Sequence, residues 1–461
     1  MEFEEYLRSV RNRSVSVIGV GVSNRPLIDL LLSHGANVTA RDKKDSLGEY
    51  GAELARRGCD LRLGENYLKD LNQEIIFRTP GMRPDLPELR EAVARGSVLT
   101  SEMEIFFEVC PCQIFAVTGS DGKTTTTTIL AEFLKAAGKT VWLGGNIGRP
   151  LLAETGRIKP SDIAVLELSS FQLMTMKRSP HIAVITNISP NHLDVHKDYQ
   201  EYIQAKENIF RFQTARDITV FNADNEITLE EASRTPGRVR LFSRKRELDN
   251  GVFLRGDEII SRNIDNIKYP ERVVMKISDV KLPGTHNIEN YMAAIAAADG
   301  LVPDDRIKKF AREFQGVEHR IELFRTRRGV RWYNDSIASS PSRTIAGLNS
   351  FPEKVILIAG GKDKGISYQD LGPVINAHVK YLILCGATAG VIRESVEQAD
   401  NYDGLNIREA DNYPDAVKLA DEISNPGDII ILSPASTSFD RFANFMERGQ
   451  VFKNLVNALP E

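Results

Sequence analysis

Short apolar, β-branched runs recur along this chain and alternate with longer stretches of helical period. Val15-Ser-Val-Ile-Gly19-Val-Gly21-Val-Ser23-Asn24 opens the series, a helix pattern runs from Pro26 to Ser33 and stops at Gly35, and Asn37 to Asp42 forms a second strand-like run. That is a βαβ start. Further strands are predicted at residues 74–77 and 98–100, with Thr79-Pro-Gly81-Met-Arg-Pro-Asp as a turn-rich loop at a strand end. A second segment begins with the run Ile114-Phe-Ala-Val-Thr118, which breaks at Gly119 and restarts as a helix reaching Ala137. Residues 140–146, 163–168, 182–187 and 217–221 read as buried strands, and Thr285 to Ala298 as a helix. Between them, from about Arg238 to Leu282, short alternating runs predict a small antiparallel appendage. A third segment starts near Val317, with strands predicted at 330–333, 355–359, 381–384 and 428–432. The alternation predicts an α/β protein of three domains, 1–102, 103–316 and 317–461. The first is expected to be Rossmann-like, and the central one to have a mostly parallel sheet.

Composition narrows the class. The chain has 461 residues, enough for about three cores, with 42% hydrophobic and 26% charged residues. Lys plus Arg (59) nearly balances Asp plus Glu (63), which argues against a nucleic-acid surface. No run approaches the roughly 20 apolar residues of a membrane span. The start Met1-Glu-Phe-Glu-Glu is acidic where a signal peptide is basic. Four cysteines without metal spacing read as reduced thiols, so a cytoplasmic protein is expected, and Cys110-Pro-Cys112 is either a redox pair or plain packing.

The loop Gly119-Ser120-Asp121-Gly122-Lys123-Thr124-Thr125 between strand and helix suits a nucleoside triphosphate. Backbone N–H groups and a helix N-terminus would cradle phosphate, Lys123 would neutralise it, and Thr124 would ligate Mg²⁺. Val117 stands where the full motif has another glycine, so an ordinary βα turn is the alternative. Gly19-x-Gly21 with Asp42 suits a dinucleotide or another nucleotide, because Asn24 replaces the third fingerprint glycine. Glu167 ends an apolar strand, where a carboxylate calls for a cation or for exposure to water. By pattern alone His192 is an ordinary structural histidine and Lys206 a solvated helix lysine.

A wider set of motifs resembles the Mur ligases, the ATP-dependent amide ligases of peptidoglycan synthesis. It comprises Thr118 to Thr124, Gly144-Gly-Asn146-Ile-Gly148, Leu166-Glu167-Leu-Ser169-Ser-Phe-Gln172, Asn187…His192-Leu-Asp194…Tyr202…Ala205-Lys206, His286-Asn287 and Glu318-His319-Arg320. The ending Leu432-Ser-Pro-Ala-Ser-Thr-Ser438-Phe439-Asp-Arg-Phe442…Phe445…Glu447-Arg-Gly449 is similar to the D-glutamate-adding members. The resemblance implies a UDP-binding domain at 1–102, an ATPase domain at 103–316 and a Rossmann-like amino-acid-binding domain at 317–461. It implies a uridine pocket of Val22, Ser23, Asp42, Lys43, Thr79 and Gly81. Asn146, Ser169 and Gln172 would also meet substrate. The nucleotide would meet Gly119 to Thr125, His286, Asn287, Asn290, Arg320 and Asp335. Two Mg²⁺ (or Mn²⁺) ions would lie on Thr124, Glu167, His192 and a Lys206 carbamylated by CO₂, with Lys123, Glu167, His192 and Lys206 catalytic. Ser339, Lys364, Ser438, Phe439 and Phe445 would surround D-glutamate. The other substrate would be UDP-N-acetylmuramoyl-L-alanine, and the enzyme a cytoplasmic monomer without membrane insertion. One departure stands out: the family often has Asn-Asp-Ser-Lys-Ala-Thr where this chain has Asn334-Asp-Ser-Ile337-Ala-Ser339.

Overall fold

Three sheets carry the alternating pattern in a computed structural model that describes all residues except Val22, 191–194, 264–269, Lys364 and Glu461. The first sheet contains β1 (Ser14–Ile18), β2 (Asn37–Asp42), β3 (Asp60–Leu63), β4 (Ile75–Phe77) and β5 (Val98–Thr100), all parallel, in the order β3-β2-β1-β4-β5. Helices cover it, so the central strand β1 is buried on both faces: Val15, Val17 and Ile18 are buried, and Ser16 is buried while accepting Arg41 Nε at 3.0 Å. The strand order reverses between β1 and β4, which opens a crevice at their carboxyl ends.

The second sheet contains β6 (Gln113–Thr118), β7 (Val141–Gly145), β8 (Ile163–Glu167), β9 (Ile182–Ile185), β10 (Ile218–Asn222), β11 (Arg238–Ser243), β12 (Gly251–Arg255), β13 (Glu258–Arg262) and β14 (Glu271–Lys276). Its order is β14-β13-β12-β11-β10-β9-β6-β8-β7. The expected antiparallel appendage needs correcting here. The helix Glu226–Glu231 lies between β10 and β11 and lets the chain cross over, so β11 pairs in parallel with β10. Only past the tight Gly256-Asp257 turn does pairing become antiparallel, from β12 through β14, and these strands extend the same sheet.

The third sheet contains β15 (Glu322–Arg327), β16 (Val330–Asn334), β17 (Val355–Ala359), β18 (Val379–Leu384), β19 (Asn406–Glu409) and β20 (Ile429–Leu432), in the order β15-β16-β20-β17-β18-β19. Only β15 runs antiparallel to its neighbour. Its two faces pack separate cores, one around Leu357 and Leu382 and the other around Trp332, Ile358 and Phe452. The result is a mixed α/β fold with mostly parallel sheets.

Two compact units hold these sheets. Met1–Asp279 with Ile288–Phe310 carries the first two, and Val280–Asn287 with Ala311–Glu461 carries the third. Inside the first unit two arginines tie the Thr79 loop to the second sheet. Buried Arg78 donates to the Phe171 carbonyl at 3.1 Å and the Thr175 hydroxyl at 2.7 Å. Arg83 grips Glu201 with two bonds of 2.9 Å, and Asp85 at 2.8 and 2.9 Å. No helix among the described residues is long and apolar enough to cross a membrane.

Candidate active site

The glycine loop leaves β6 at Thr118 and enters the helix Lys123–Ala136. Gly119 has φ +148°, and a Cβ there would overlap the Thr186 hydroxyl; only glycine lets the loop lie against the end of β9. Gly122 is the left-handed N-cap (φ +77°), and a Cβ on it would run into the Asn290 side chain. Asn290 therefore packs on the loop, and its Oδ1 accepts the Thr126 hydroxyl at 3.2 Å. The loop is fastened from β9 as well. Asn187 accepts the Ser120 and Asp121 N–H groups at 2.8 and 2.9 Å, and Thr186 Oγ1 donates to the Asp121 carbonyl. Ser120 Oγ lies 2.9 Å from the Tyr202 hydroxyl. Lys123 Nζ donates to the carbonyls of Gly119 and Ser120 at 3.0 and 2.8 Å, while Thr124 and Thr125 are buried in the first helical turn. The loop thus ends in a left-handed glycine at a helix N-terminus, the backbone setting that favours an anion.

Two charged side chains are buried below this loop. Glu167, at the end of β8, is 1% exposed. Its Oε1 accepts Asn146 Nδ2 at 2.7 Å, whereas its buried Oε2 accepts no hydrogen bond among the described residues. Exposure to water at a strand end is thereby ruled out, and an unsatisfied carboxylate oxygen is what a cation ligand looks like before the cation arrives. Lys206 is the larger correction. It is not a solvated helix lysine but 1% exposed, with Nζ donating to the Gly119 carbonyl at 2.7 Å and lying 4.7 Å from the centre of the Tyr202 ring. The helix Tyr199–Glu207 lays this residue under the loop instead of toward solvent. Burial, reinforced by the positive charge of Lys123, pushes its pKa well below the ordinary lysine range.

Two other expected ligands have local duties. Ser169 and Gln172 form a reciprocal capping box at the short helix Ser170–Leu173, with Gln172 Oε1 accepting the Ser169 N–H at 3.0 Å. His192 lies outside the described residues.

The expected uridine residues gather at the crevice of the first sheet. Asp42 ends β2, accepting the Val20 N–H at 2.7 Å and the Lys44 N–H at 3.0 Å. A Cβ on Gly19 would stand 3.0 Å from Thr79 Cβ, so the ends of β1 and β4 approach closely there. Ser23, Lys43 and Gly81 are exposed, Thr79 is half-buried, and Val22 lies outside the described residues.

In the second unit Asp335 follows β16 and is fully buried. Its carboxylate accepts the Ser433 hydroxyl at 2.8 Å and the Ile321 N–H at 3.2 Å. Burial raises its pKa to about 7, against the opposing pull of Ser433 and Arg320. Ser339 donates to the Ile337 carbonyl at 3.1 Å, and Arg343 Nη1 reaches the same carbonyl at 3.2 Å. Ser438 is buried, Phe439 is 62% exposed, and half-buried Phe445 meets the His319 ring edge-on. Asn287 donates to the Pro283 carbonyl at 2.6 Å, beside exposed His286. Lys364 lies outside the described residues. Tyr202 stood in the family motif, but sequence reading gave no role to Thr186, Arg78, Arg83 or Arg343; of these only Thr186, the first polar residue after the run Ile182–Ile185, carried a local signal.

A parallel sheet whose glycine loop and Lys-Thr helix start overlie a buried, half-satisfied carboxylate defines a phosphate-loop α/β protein. The family model of the Mur ligase middle domain matches residues 117–298, and that of the Mur ligase, glutamate ligase domain, matches 319–436. The chain belongs to the Mur ligase family. A UDP-N-acetylmuramoylalanine–D-glutamate ligase of Acetivibrio thermocellus is 51% identical over 465 residues, and one of Ruminiclostridium cellulolyticum 52% identical over 465, each match covering 99% of both chains. Solved structures share the fold. A UDP-N-acetylmuramate–alanine ligase of Thermotoga maritima aligns with a TM-score of 0.60 at 20% identity over 97% of this chain and 99% of that one. A MurF structure from Acinetobacter baumannii aligns at 0.58 and 15%, over 98% and 92%.

Proposed function

We infer that this chain is an ATP-dependent ligase that adds D-glutamate to UDP-N-acetylmuramoyl-L-alanine in peptidoglycan synthesis, releasing ADP and phosphate. End-to-end identity with D-glutamate ligases carries the reading. A carboxylate is a poor electrophile, so the alanyl carboxylate is first phosphorylated by ATP to an acyl phosphate. The D-glutamate amine then attacks that carbonyl and phosphate leaves.

The residues of the loop suit the first step. N–H groups at the start of the helix Lys123–Ala136 and the Lys123 ammonium face the charge that develops during phosphoryl transfer. Glu167 and Thr124, with His192 and a carbamylated Lys206, would hold two Mg²⁺ or Mn²⁺ ions, which supply charge neutralisation on the phosphate oxygens when bound. The unsatisfied Oε2 of Glu167 supports that assignment. Lys206 supports it too, because a lowered pKa favours the neutral amine, and the neutral amine is the form that takes up CO₂. Carbamylation turns a cation that repels metal into an anionic oxygen ligand.

The functional division that fits this reading is a Rossmann-like UDP-binding domain (1–102), an ATPase domain (103–316) and a Rossmann-like amino-acid domain (317–461). Uridine lies in the crevice near Asp42 and Thr79, and D-glutamate near Ser339, Lys364, Ser438, Phe439 and Phe445. Asp335, Arg320, His286, Asn287 and Asn290 serve the nucleotide. The enzyme works as a cytoplasmic monomer, upstream of cell shape and division.

Phosphate release from ATP, measured with UDP-N-acetylmuramoyl-L-alanine and a panel of amino acids, tests the reading. Turnover is expected with D-glutamate and not with L-glutamate or diamino acids. Turnover that prefers another amino acid, or none with any, overturns it.

A further inference from the structure

We propose that Cys110 and Cys112 form a reversible dithiol–disulfide site, with Cys110 as the attacking thiol and Cys112 as the resolving one. The pair lies at the base of β6, at the opposite end of that strand from the glycine loop, and outside the ligase machinery. Their sulfurs are 3.5 Å apart. Both backbones are pinned: the helix Glu102–Val109 ends with the Cys110 N–H on the Phe106 carbonyl at 2.9 Å, and β6 starts at Gln113. Pro111 between them has a fixed φ, so little freedom is left to lose when the sulfurs join.

Their exposures differ in the way such chemistry needs. Cys110 is half-buried and open to a small reagent, whereas Cys112 is 4% exposed and packed in the core of the first unit. The sulfur–sulfur contact holds the Cys110 thiol below its ordinary range, while the same contact and burial push the Cys112 thiol up. Cys59 and Cys385 are both buried and, among the described residues, neither lies beside another thiol.

The chemistry balances with a low-molecular-weight disulfide as oxidant. The Cys110 thiolate attacks one sulfur of the reagent, forming a mixed disulfide and expelling one thiolate. Cys112 then attacks the Cys110 sulfur, gives up its proton, and expels the second thiolate. The protein loses two electrons and two protons, and the reagent becomes two thiols. Because the closed loop is only three residues long, the bond adds little chain-entropy stabilisation, so it acts as a reactive site and not as a staple.

The test treats native full-length protein with oxidised glutathione and follows intact mass and peptide maps. The wild type is expected to lose two hydrogens, with the bond mapped to Cys110–Cys112, to keep no glutathione, and to return to the dithiol with dithiothreitol. Cys112→Ser should retain one glutathione on Cys110, and Cys110→Ser should take none on Cys112. With the unmutated protein alone, brief iodoacetamide treatment should label Cys110 at least tenfold faster than Cys59, Cys112 or Cys385, and not at all after oxidation. A stable glutathione adduct on wild-type Cys110, equal labelling of the four thiols, or unchanged mass overturns the proposal.

Discussion

Asp335→Asn should make the second unit more stable, and by an amount that grows with pH. In the fold Asp335 titrates near 7 because it is fully buried. In the unfolded chain it titrates near ~3.9. Between those values the folded state holds a proton that the unfolded state has released. Stability is therefore lost as pH rises from about 4 to about 7 and levels off above. At ~1.4 kcal/mol per unit, the raised pKa of Asp335 costs the fold about 4 kcal/mol at pH 8 and about 1.5 kcal/mol at pH 5. Asparagine stays neutral and can keep the contacts: its oxygen accepts the Ile321 N–H, and its NH₂ donates to Ser433 Oγ, which can still donate to Thr344 Oγ1 at 3.0 Å. The stabilisation by Asp335→Asn should thus increase by about 2.5 kcal/mol between pH 5 and pH 8. Of the two tryptophans, Trp142 lies in the first unit and Trp332 in the second. Urea unfolding followed by fluorescence in a Trp142→Phe background therefore reports the second unit alone. A stability difference that is the same at pH 5 and pH 8 would refute the argument. Turnover should fall in the same variant, because the charge that burdens the fold is the one assigned to the nucleotide.

Three further outcomes follow from the site. Gly119→Ala should destabilise the first unit by about 2 kcal/mol or more through its backbone angle and the overlap with Thr186; adding Thr186→Ala should return part of that in a urea double-mutant cycle, and zero coupling would show that the overlap is not the cause. Lys206→Ala should lower turnover roughly 100-fold or more, with partial recovery in short-chain carboxylic acids that refill the cavity with an oxygen ligand; full activity without them would remove the carbamate. Arg343 reaches the carbonyl of Ile337, the residue that stands where the family often has a lysine, and its charge acts on Asp335. Arg343→Ala should raise the KM for an acidic substrate about tenfold, ~1.4 kcal/mol, and Ile337→Lys in the same chain should restore it; unchanged KM values in Arg343→Ala would end that assignment.

The interior strands of all three sheets were legible in the sequence, and the reason is burial on both faces. Residues 163–167 and 355–359 are apolar throughout or up to their last position, and no other element suits them. The strands that pattern reading missed are β3, β15 and β19, and each lies at a sheet edge. Asp60-Leu-Arg-Leu, Glu322-Leu-Phe-Arg-Thr-Arg and Asn406-Ile-Arg-Glu carry the charges that protect an exposed edge, so they resemble loops or helix faces when read alone. The direction of β11 was illegible for a different reason: alternation marks a strand but not its partner, and the intervening helix decides the sense of pairing. The phosphate loop was legible because its glycines and Lys-Thr step are local. The fate of Lys206 was not, because its burial comes from where the helix Tyr199–Glu207 is laid, which no local spacing encodes.

Glu167 and Lys206 are both buried, and the carboxylate field of Glu167 acts on Lys206 against the larger effects of burial and Lys123. A fold selected for stability alone would join them, since a buried charge left without a close partner costs several kcal/mol. They are not joined. Lys206 Nζ turns to the Gly119 carbonyl and Glu167 Oε1 to Asn146, leaving Oε2 without a hydrogen bond among the described residues. Asn146 is itself fixed, because its N–H donates to the Glu167 backbone carbonyl at 2.8 Å while its Nδ2 holds the carboxylate at one oxygen. The arrangement keeps the Glu167 carboxyl group and the Lys206 amine apart beneath the glycine loop. Under the function proposed above, a metal ligand, a CO₂ acceptor and a phosphate cradle would each need that separation, and direct pairing of the two side chains would satisfy none of them.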